Sequence, residues 1–164
     1  MSSSENALLE LDQRLLTCSL ENTPEFSLFG KSKCKVLDVI DGDTFKAAMM
    51  LNGVAYIFTY RVYGINAPEL KPRLSVMDRL CVKRRARAAK AALTEIIMDK
   101  ICDLVMHGRD SFGRVLSEVY VDGTDVGKML IDRGFAVVFY PNKIKEIIKS
   151  PTIAQIDEKQ DLIL

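Results

Sequence analysis

The chain is poor in the residues that usually build metal clusters. It has one histidine, His107, and its four cysteines, Cys18, Cys34, Cys81 and Cys102, are widely spaced with no C-x-x-C pair. The usual patterns of a structural zinc site are therefore missing. The thiols read as reduced groups in a reducing compartment or as buried small hydrophobes. His107 has no metal or nucleophile partner in the sequence and reads as structural. No apolar run approaches the ~20 residues of a membrane-spanning helix, so a membrane partner is not expected. The N-terminus lacks a basic segment followed by an apolar stretch, and an intracellular location without a signal peptide is the expectation. Charge of one sign is lacking too: 23 basic and 22 acidic residues leave a formal net charge of +1. Any nucleic-acid binding must come from where the charges lie, not from their sum.

What is present suits a soluble domain. The 164 residues are 48% hydrophobic and 27% charged, enough for one core with short extensions. The expected organisation is a helical extension over 1–31, a domain over 32–140 and a tail over 141–164. In the extension, Ser2 and Glu5 have capping-box spacing, and Leu8, Leu11 and Leu15 recur at helical spacing. A helix over about 5–18 follows, stopped by Asn22-Thr23-Pro24. It either docks on the domain or binds a protein partner, a role open to the C-terminal tail as well.

From Lys33 the hydrophobic period changes to two. Strands are expected up to Ile40, over Thr44–Leu51 and over Val54–Tyr63, the latter two joined by the hairpin signal Asn52-Gly53. Tyr56, Phe58, Tyr60 and Val62 share one face of the third run. A helix follows between about Arg79 and Lys100, with Val82, Ala86, Ala89 and Leu93 inward. Two further strands, Ile101–His107 and Arg114–Val121, precede a second helix that Thr124 can cap and Gly134 can end. Past the apolar run Phe135–Tyr140, a short helical stretch Ile144–Lys149 is expected in the tail. Three strands, a helix, two strands and a helix describe an α+β domain: a five-stranded OB-type Greek-key β-barrel with inserted and C-terminal helices.

Polar residues cluster at strand ends and turns, where a scaffold can aim them outward. They are Asp41 and Asp43, Arg61, Asn66-Ala67-Pro68-Glu69, Arg109 and Arg114. Aspartates and a carbonyl suit a hard cation. Arginine forks suit phosphate oxygens that gain charge during attack, and a carboxylate suits activation of water. Alone, Asp41-Gly42-Asp43 reads as a turn, Arg61 as a solvated strand residue and Glu69 as a loop carboxylate.

The stretches Val39–Thr44, Arg61–Glu69 and Asp110–Arg114 resemble the three signature segments of the staphylococcal nuclease family. Gly134-Phe135-Ala136 resembles the segment after that family's second helix. Their order and spacing, rather than any one of them, carry the resemblance, which covers about two-thirds of the chain. It implies a calcium-dependent phosphodiesterase that cuts DNA or RNA with little sequence preference. By the same resemblance Asp43 would be a metal ligand, Asp41 an outer-shell carboxylate, and the Ala67 carbonyl part of the calcium shell. Glu69 would be the general base, Arg61 and Arg114 would bind the phosphate, and Tyr140 would contact substrate. The continuation Glu69-Leu70-Lys71-Pro72 looks like copies of the family carried by large DNA viruses, which implies a virion-associated role as an alternative.

One position departs from the family pattern. Asn66 stands where a second aspartate ligand is usual. The lost charge is worth about 4 kcal/mol per unit of metal charge at ~4 Å and an effective dielectric of ~20, before solvation offsets. Weak calcium binding, or a different divalent cation, is therefore expected. Two function classes stay open: an active metal-dependent nuclease, or a catalytically impaired module that binds nucleic acid or serves in assembly. Retention of Glu69 favours the first. The stretch Lys71–Lys90, with Lys71, Arg73, Lys83, Arg84 and Arg87 among its cations and Asp78 as its one acid, reads as a phosphate-tracking surface beside Arg109. The alternative is a solvated helix face paired with acidic residues such as Glu158 and Asp161.

Overall fold

The computed structural model of the protein describes residues 3–23 and 28–140. The expected tail helix, Ser2, and the acidic residues of the tail lie outside them. Helix α1 spans Ser3–Leu16 and buries none of its residues. Leu8, Leu11 and Leu15 are therefore exposed, and the docked reading of this helix is not met.

The period-two runs become strands β1 (Phe29–Asp41), β2 (Thr44–Leu51) and β3 (Val54–Val62). Both pairings are antiparallel. Asn52 and Gly53 turn β2 into β3 with φ of 49° and 81°, the paired positive φ of a tight hairpin. The two-residue strand β4 (Ile65–Asn66) leads to helix α2 (Arg79–Ile97), which is followed by β5 (Ile101–Arg109) and β6 (Val115–Val121). The short β7 (Thr124–Asp125), helix α3 (Val126–Asp132) and β8 (Val137–Val138) complete the described chain. Thr124 is not the α3 cap. It pairs with Val121 in the sheet, and the Asp125 carboxylate accepts from the Lys128 amide instead.

The five long strands form a ring. The order is β3-β2-β1-β5-β6, and β6 returns to pair with β3 in parallel through Tyr60↔Val115 and Arg61↔Leu116. That last pairing closes the OB-type barrel and removes the free edges an open sheet would leave. Alternate residues point inward: Phe45, Ala47 and Met49 from β2, Tyr60 and Val62 from β3, Leu104 from β5, Val115 and Val119 from β6. Phe45 and Tyr60 stack with centroids 5.3 Å apart.

Helix α2 covers one end of the barrel with Ala86, Ala89, Leu93, Ile96 and Ile97. Its alanines permit close approach to the β1–β2 turn. A Cβ on Gly42 would lie 2.7 Å from the Ala89 Cβ and 2.8 Å from the Ala67 Cβ. Three segments thus meet at Gly42: the turn bearing Asp41 and Asp43, the loop bearing Asn66 to Glu69, and the middle of α2.

Candidate nucleic-acid and metal site

The site is assembled where β1, β2 and β3 end beside the loop between β5 and β6. Thr44 and Arg61 are cross-strand partners, and the Val62 amide donates to the Asp43 carbonyl at 2.9 Å. This register places the first two signature segments against each other. Asp43 is 7% exposed, so its carboxylate needs partners. The Thr44 hydroxyl donates to Oδ1 at 2.8 Å and the Ala67 amide to Oδ2 at 3.1 Å. The Arg61 guanidinium lies 3.2 Å from the same Oδ2.

Arg61 is gripped from several sides. Its Nη1 donates to the Ile65 carbonyl at 3.0 Å and its Nη2 to Asn66 Oδ1 at 3.0 Å. The Phe139 ring lies 5.9 Å from its guanidinium carbon. Asn66 is therefore a partner of an arginine, whatever else it holds.

Arg114 is oriented by a residue of its own turn. Its Nε donates to Asp110 Oδ2 at 2.7 Å, while Asp110 Oδ1 accepts from the Phe112 and Arg114 amides. Burial pushes the Asp110 carboxyl up, but these donors outweigh it and hold the group below the ordinary aspartate range. Arg114 Nη1 reaches Thr44 Oγ1 at 3.5 Å, a long contact at the limit of a hydrogen bond. A polar chain thus runs from Asp110 through Arg114, Thr44 and Asp43 to Arg61 and Asn66.

Glu69 and Arg114 share an open cleft of about 610 Å³ with Arg109, Ile57, Phe58 and Phe112. Phe112 is 83% exposed and its ring centre lies 5.4 Å from the Arg114 guanidinium carbon. Asp41 lies close behind: burial raises its pKa, as do the charges of Asp43 and Glu69, against hydrogen bonds from the Gly42 and Leu70 amides.

Other expected site residues are spread around this centre. Lys71, Arg73, Arg84, Arg87 and Arg109 are exposed, and Lys83 is half-buried. Tyr140 packs edge-on against Tyr63 with centroids 5.6 Å apart. Gly64, at φ 81°, admits it, since a Cβ there would come within 2.8 Å of the Tyr140 hydroxyl. His107 meets Glu118 at 2.9 Å and stacks on Tyr63 with ring centroids 4.3 Å apart.

For a divalent cation the donor chemistry fits in kind: Asp43, Asn66, the Ala67 carbonyl and Asp41 are hard-oxygen groups, and Arg61 joins Asp43 to Asn66. The donor number is low. Among the described residues no three His, Cys, Asp or Glu side chains form a metal-holding group. Thr44, Asp110, Ile57 and Phe112 were not singled out from sequence as site residues. Asp110 and Phe112 stand inside the third signature segment, but nothing local says which side chain turns towards Arg114.

A closed five-stranded barrel with helices packed on it defines an OB-type domain. The chain matches the family model described as staphylococcal nuclease homologue over residues 59–160, more than half its length, and it belongs to that family. The matched segment starts inside β3 and so leaves Asp41 to Thr44 outside it. Comparison with curated proteins gives no match.

Proposed function

We propose that the protein is a metal-dependent nuclease that hydrolyses phosphodiester bonds of DNA or RNA with little sequence preference. The observation that carries this reading is the polar chain joining Arg61 to Arg114 through Asp43 and Thr44, with Glu69 in the cleft that Arg114 lines. A binding surface needs cations; it does not need a carboxylate facing the same phosphate.

In the reaction Arg61 and Arg114 donate to the nonbridging oxygens, whose charge grows as water attacks phosphorus. Glu69 accepts the water proton as the new P–O bond forms, and the P–O bond to the leaving group breaks, its oxygen taking a proton from solvent. Asp110 fixes the Arg114 guanidinium in advance, and Asp43, the Ile65 carbonyl and Asn66 fix that of Arg61, so little reorganisation is left for the transition state. Asp43, Asn66 and the Ala67 carbonyl, with Asp41 behind them, would hold a weakly bound Ca²⁺ or another divalent ion. That ion would supply further positive charge at the phosphate. Lys71, Arg73, Lys83, Arg84, Arg87 and Arg109 would follow the flanking phosphates, and Tyr140 would contact substrate.

A second reading is a catalytically impaired module of the same family that binds nucleic acid or serves in virion assembly. It is favoured by one observation: the Asn66 oxygen and Asp43 Oδ2 are both engaged by Arg61. The test is the single-turnover cleavage rate at saturating enzyme, in Ca²⁺ and then Mn²⁺, with EDTA as blank. The nuclease reading expects Glu69→Gln to lose about 10²-fold or more in rate with near-normal binding. Arg114→Ala should behave alike, whereas Arg61→Ala should weaken both steps. If wild type and Glu69→Gln both match the EDTA blank under each metal, the module reading replaces the nuclease.

A further inference from the structure

The four cysteines are spread along the sequence, but folding makes two of them neighbours. Cys34 of β1 and Cys102 of β5 stand directly opposite each other in the antiparallel register, between the pairs Lys33↔Asp103 and Lys35↔Ile101. Opposed residues send their side chains to one face of a sheet, and here that face is the barrel interior. Cys34 and Cys102 are both buried, and both thiols are free. Hydrogen bonding to Cys102 and burial push the Cys34 thiol up. The same contact with Cys34 holds Cys102 down against burial, with the Lys100 charge assisting.

The register suits a disulfide, though not a relaxed one. The Val36 amide donates to the Lys100 carbonyl at 2.9 Å, which makes these two a hydrogen-bonded pair. By the alternation of antiparallel strands, Cys34 and Cys102 are another. Such pairs hold their Cα atoms ~5.5 Å apart, inside the ~4.4–6.8 Å that a disulfide bridges. Their Cβ atoms sit at the wide end of the cross-strand range, ~5.5 Å, against ~3.5–4.5 Å in a disulfide. Bond formation must draw the two strands together, and the resulting strain leaves the bond easier to reduce than a structural disulfide. Cys102 is the second residue of β5, beside Ile101, which is 67% exposed, so fraying of that strand end admits a small reagent.

We propose that Cys34 and Cys102 are a covalent modification site, a reversible disulfide across the β1–β5 seam whose oxidant is a low-molecular-weight disulfide such as oxidised glutathione. The Cys102 thiolate attacks one sulfur of the oxidant, its S–S bond breaks, and one thiolate leaves and takes up a proton. Cys34 then gives up its proton and attacks the Cys102 sulfur, and the second thiolate leaves and is protonated in turn. The two cysteines lose two protons and two electrons, and the oxidant becomes two thiols. The new bond closes a loop that contains Asp41, Asp43, Arg61, Asn66 and Glu69. A cross-link restricts the unfolded chain more than the folded one, so the oxidised barrel resists unfolding. This lock is independent of whether the cleft cuts nucleic acid.

The test uses the full chain carrying Cys18→Ser and Cys81→Ser, which removes the exposed and the half-buried thiol and leaves the barrel interior unchanged. The protein is equilibrated in buffers running from wholly reduced to wholly oxidised glutathione, quenched in acid, alkylated in denaturant and weighed intact. Under oxidising buffers the monomer should be two hydrogens lighter and take no alkyl group. Excess reduced glutathione should restore both alkylation sites. The urea midpoint of the oxidised form should lie about 1 M above that of the reduced form. Two alkylated thiols at every ratio would show inert packing and refute the site. A glutathione adduct as the end product would refute ring closure. A bond that survives excess reduced glutathione would overturn reversibility, and equal urea midpoints would overturn the lock.

Discussion

Under the proposed function a cation at Asn66 would compete with Arg61, and replacement of Asn66 by aspartate separates the two demands. In the structure Arg61 Nη2 touches both Asn66 Oδ1, at 3.0 Å, and Asp43 Oδ2, at 3.2 Å. A carboxylate at position 66 would add one negative charge to this pair. At ~4 Å and an effective dielectric of ~20 its attraction to a divalent ion would reach about 8 kcal/mol before solvation. Asn66 is exposed, and screening should cut this to about 1–2 kcal/mol, a gain of roughly tenfold in affinity. The same carboxylate would strengthen the grip on Arg61, which opposes metal entry. The two effects separate in a double-mutant cycle. Calorimetric Ca²⁺ titration of EDTA-dialysed protein should show tighter binding for Arg61→Gln than for wild type. Asn66→Asp should then gain more affinity in the Arg61→Gln background than alone. Unchanged Ca²⁺ affinity for Asn66→Asp in both backgrounds would refute a metal role for position 66, and unchanged affinity for Arg61→Gln would refute the competition.

Further outcomes follow from other contacts. Neutralising Lys83, Arg84 and Arg87 should flatten the salt dependence of nucleic-acid binding by roughly one slope unit per lost phosphate contact; an unchanged slope would return this surface to a solvated helix face. Gly42→Ala should lower stability by about 1–3 kcal/mol in urea titration, because the new methyl meets the Ala89 and Ala67 methyls at under 3 Å. No loss would mean that α2 can shift away from the turn. Tyr120 and His107 hydrogen-bond Glu118 and hold its pKa below the ordinary glutamate value, against burial. A depressed folded pKa stabilises above the unfolded pKa, and that contribution is lost as pH falls through the folded value. Glu118→Gln should therefore reduce the drop in melting temperature on the acid side of about pH 4.5, and an identical acid limb in the variant would contradict it.

Barrel and site were legible in the sequence to different depths. Alternation from Lys33 to Tyr63, the Asn52-Gly53 turn and the helical stripe of α2 are local signals, since a side chain's face follows from its neighbours in sequence. They sufficed for the order of the helices and the five long strands, though not for the two-residue strands β4, β7 and β8, and the spacing of three short motifs sufficed for the family. The run at Thr124-Asp125 shows the limit of local signals: either residue can cap a helix, and pairing of Thr124 with Val121 leaves the cap to Asp125. Closure of the ring is further out of reach. The parallel β3–β6 pairing joins Tyr60 to Val115, and no periodicity encodes which distant edge a strand will meet. The site shares that dependence. Residue types make Asp43, Arg61, Glu69 and Arg114 compatible with phosphate chemistry, and the resemblance to the family gave them their expected roles. Only the folded chain brings Thr44 to Arg114, 70 residues away, and seats Arg61 between Asp43 and Asn66. Sequence dictates which groups are available because chemistry is a property of the side chain; tertiary structure decides which of them neutralise one another, because that depends on distances set by barrel closure.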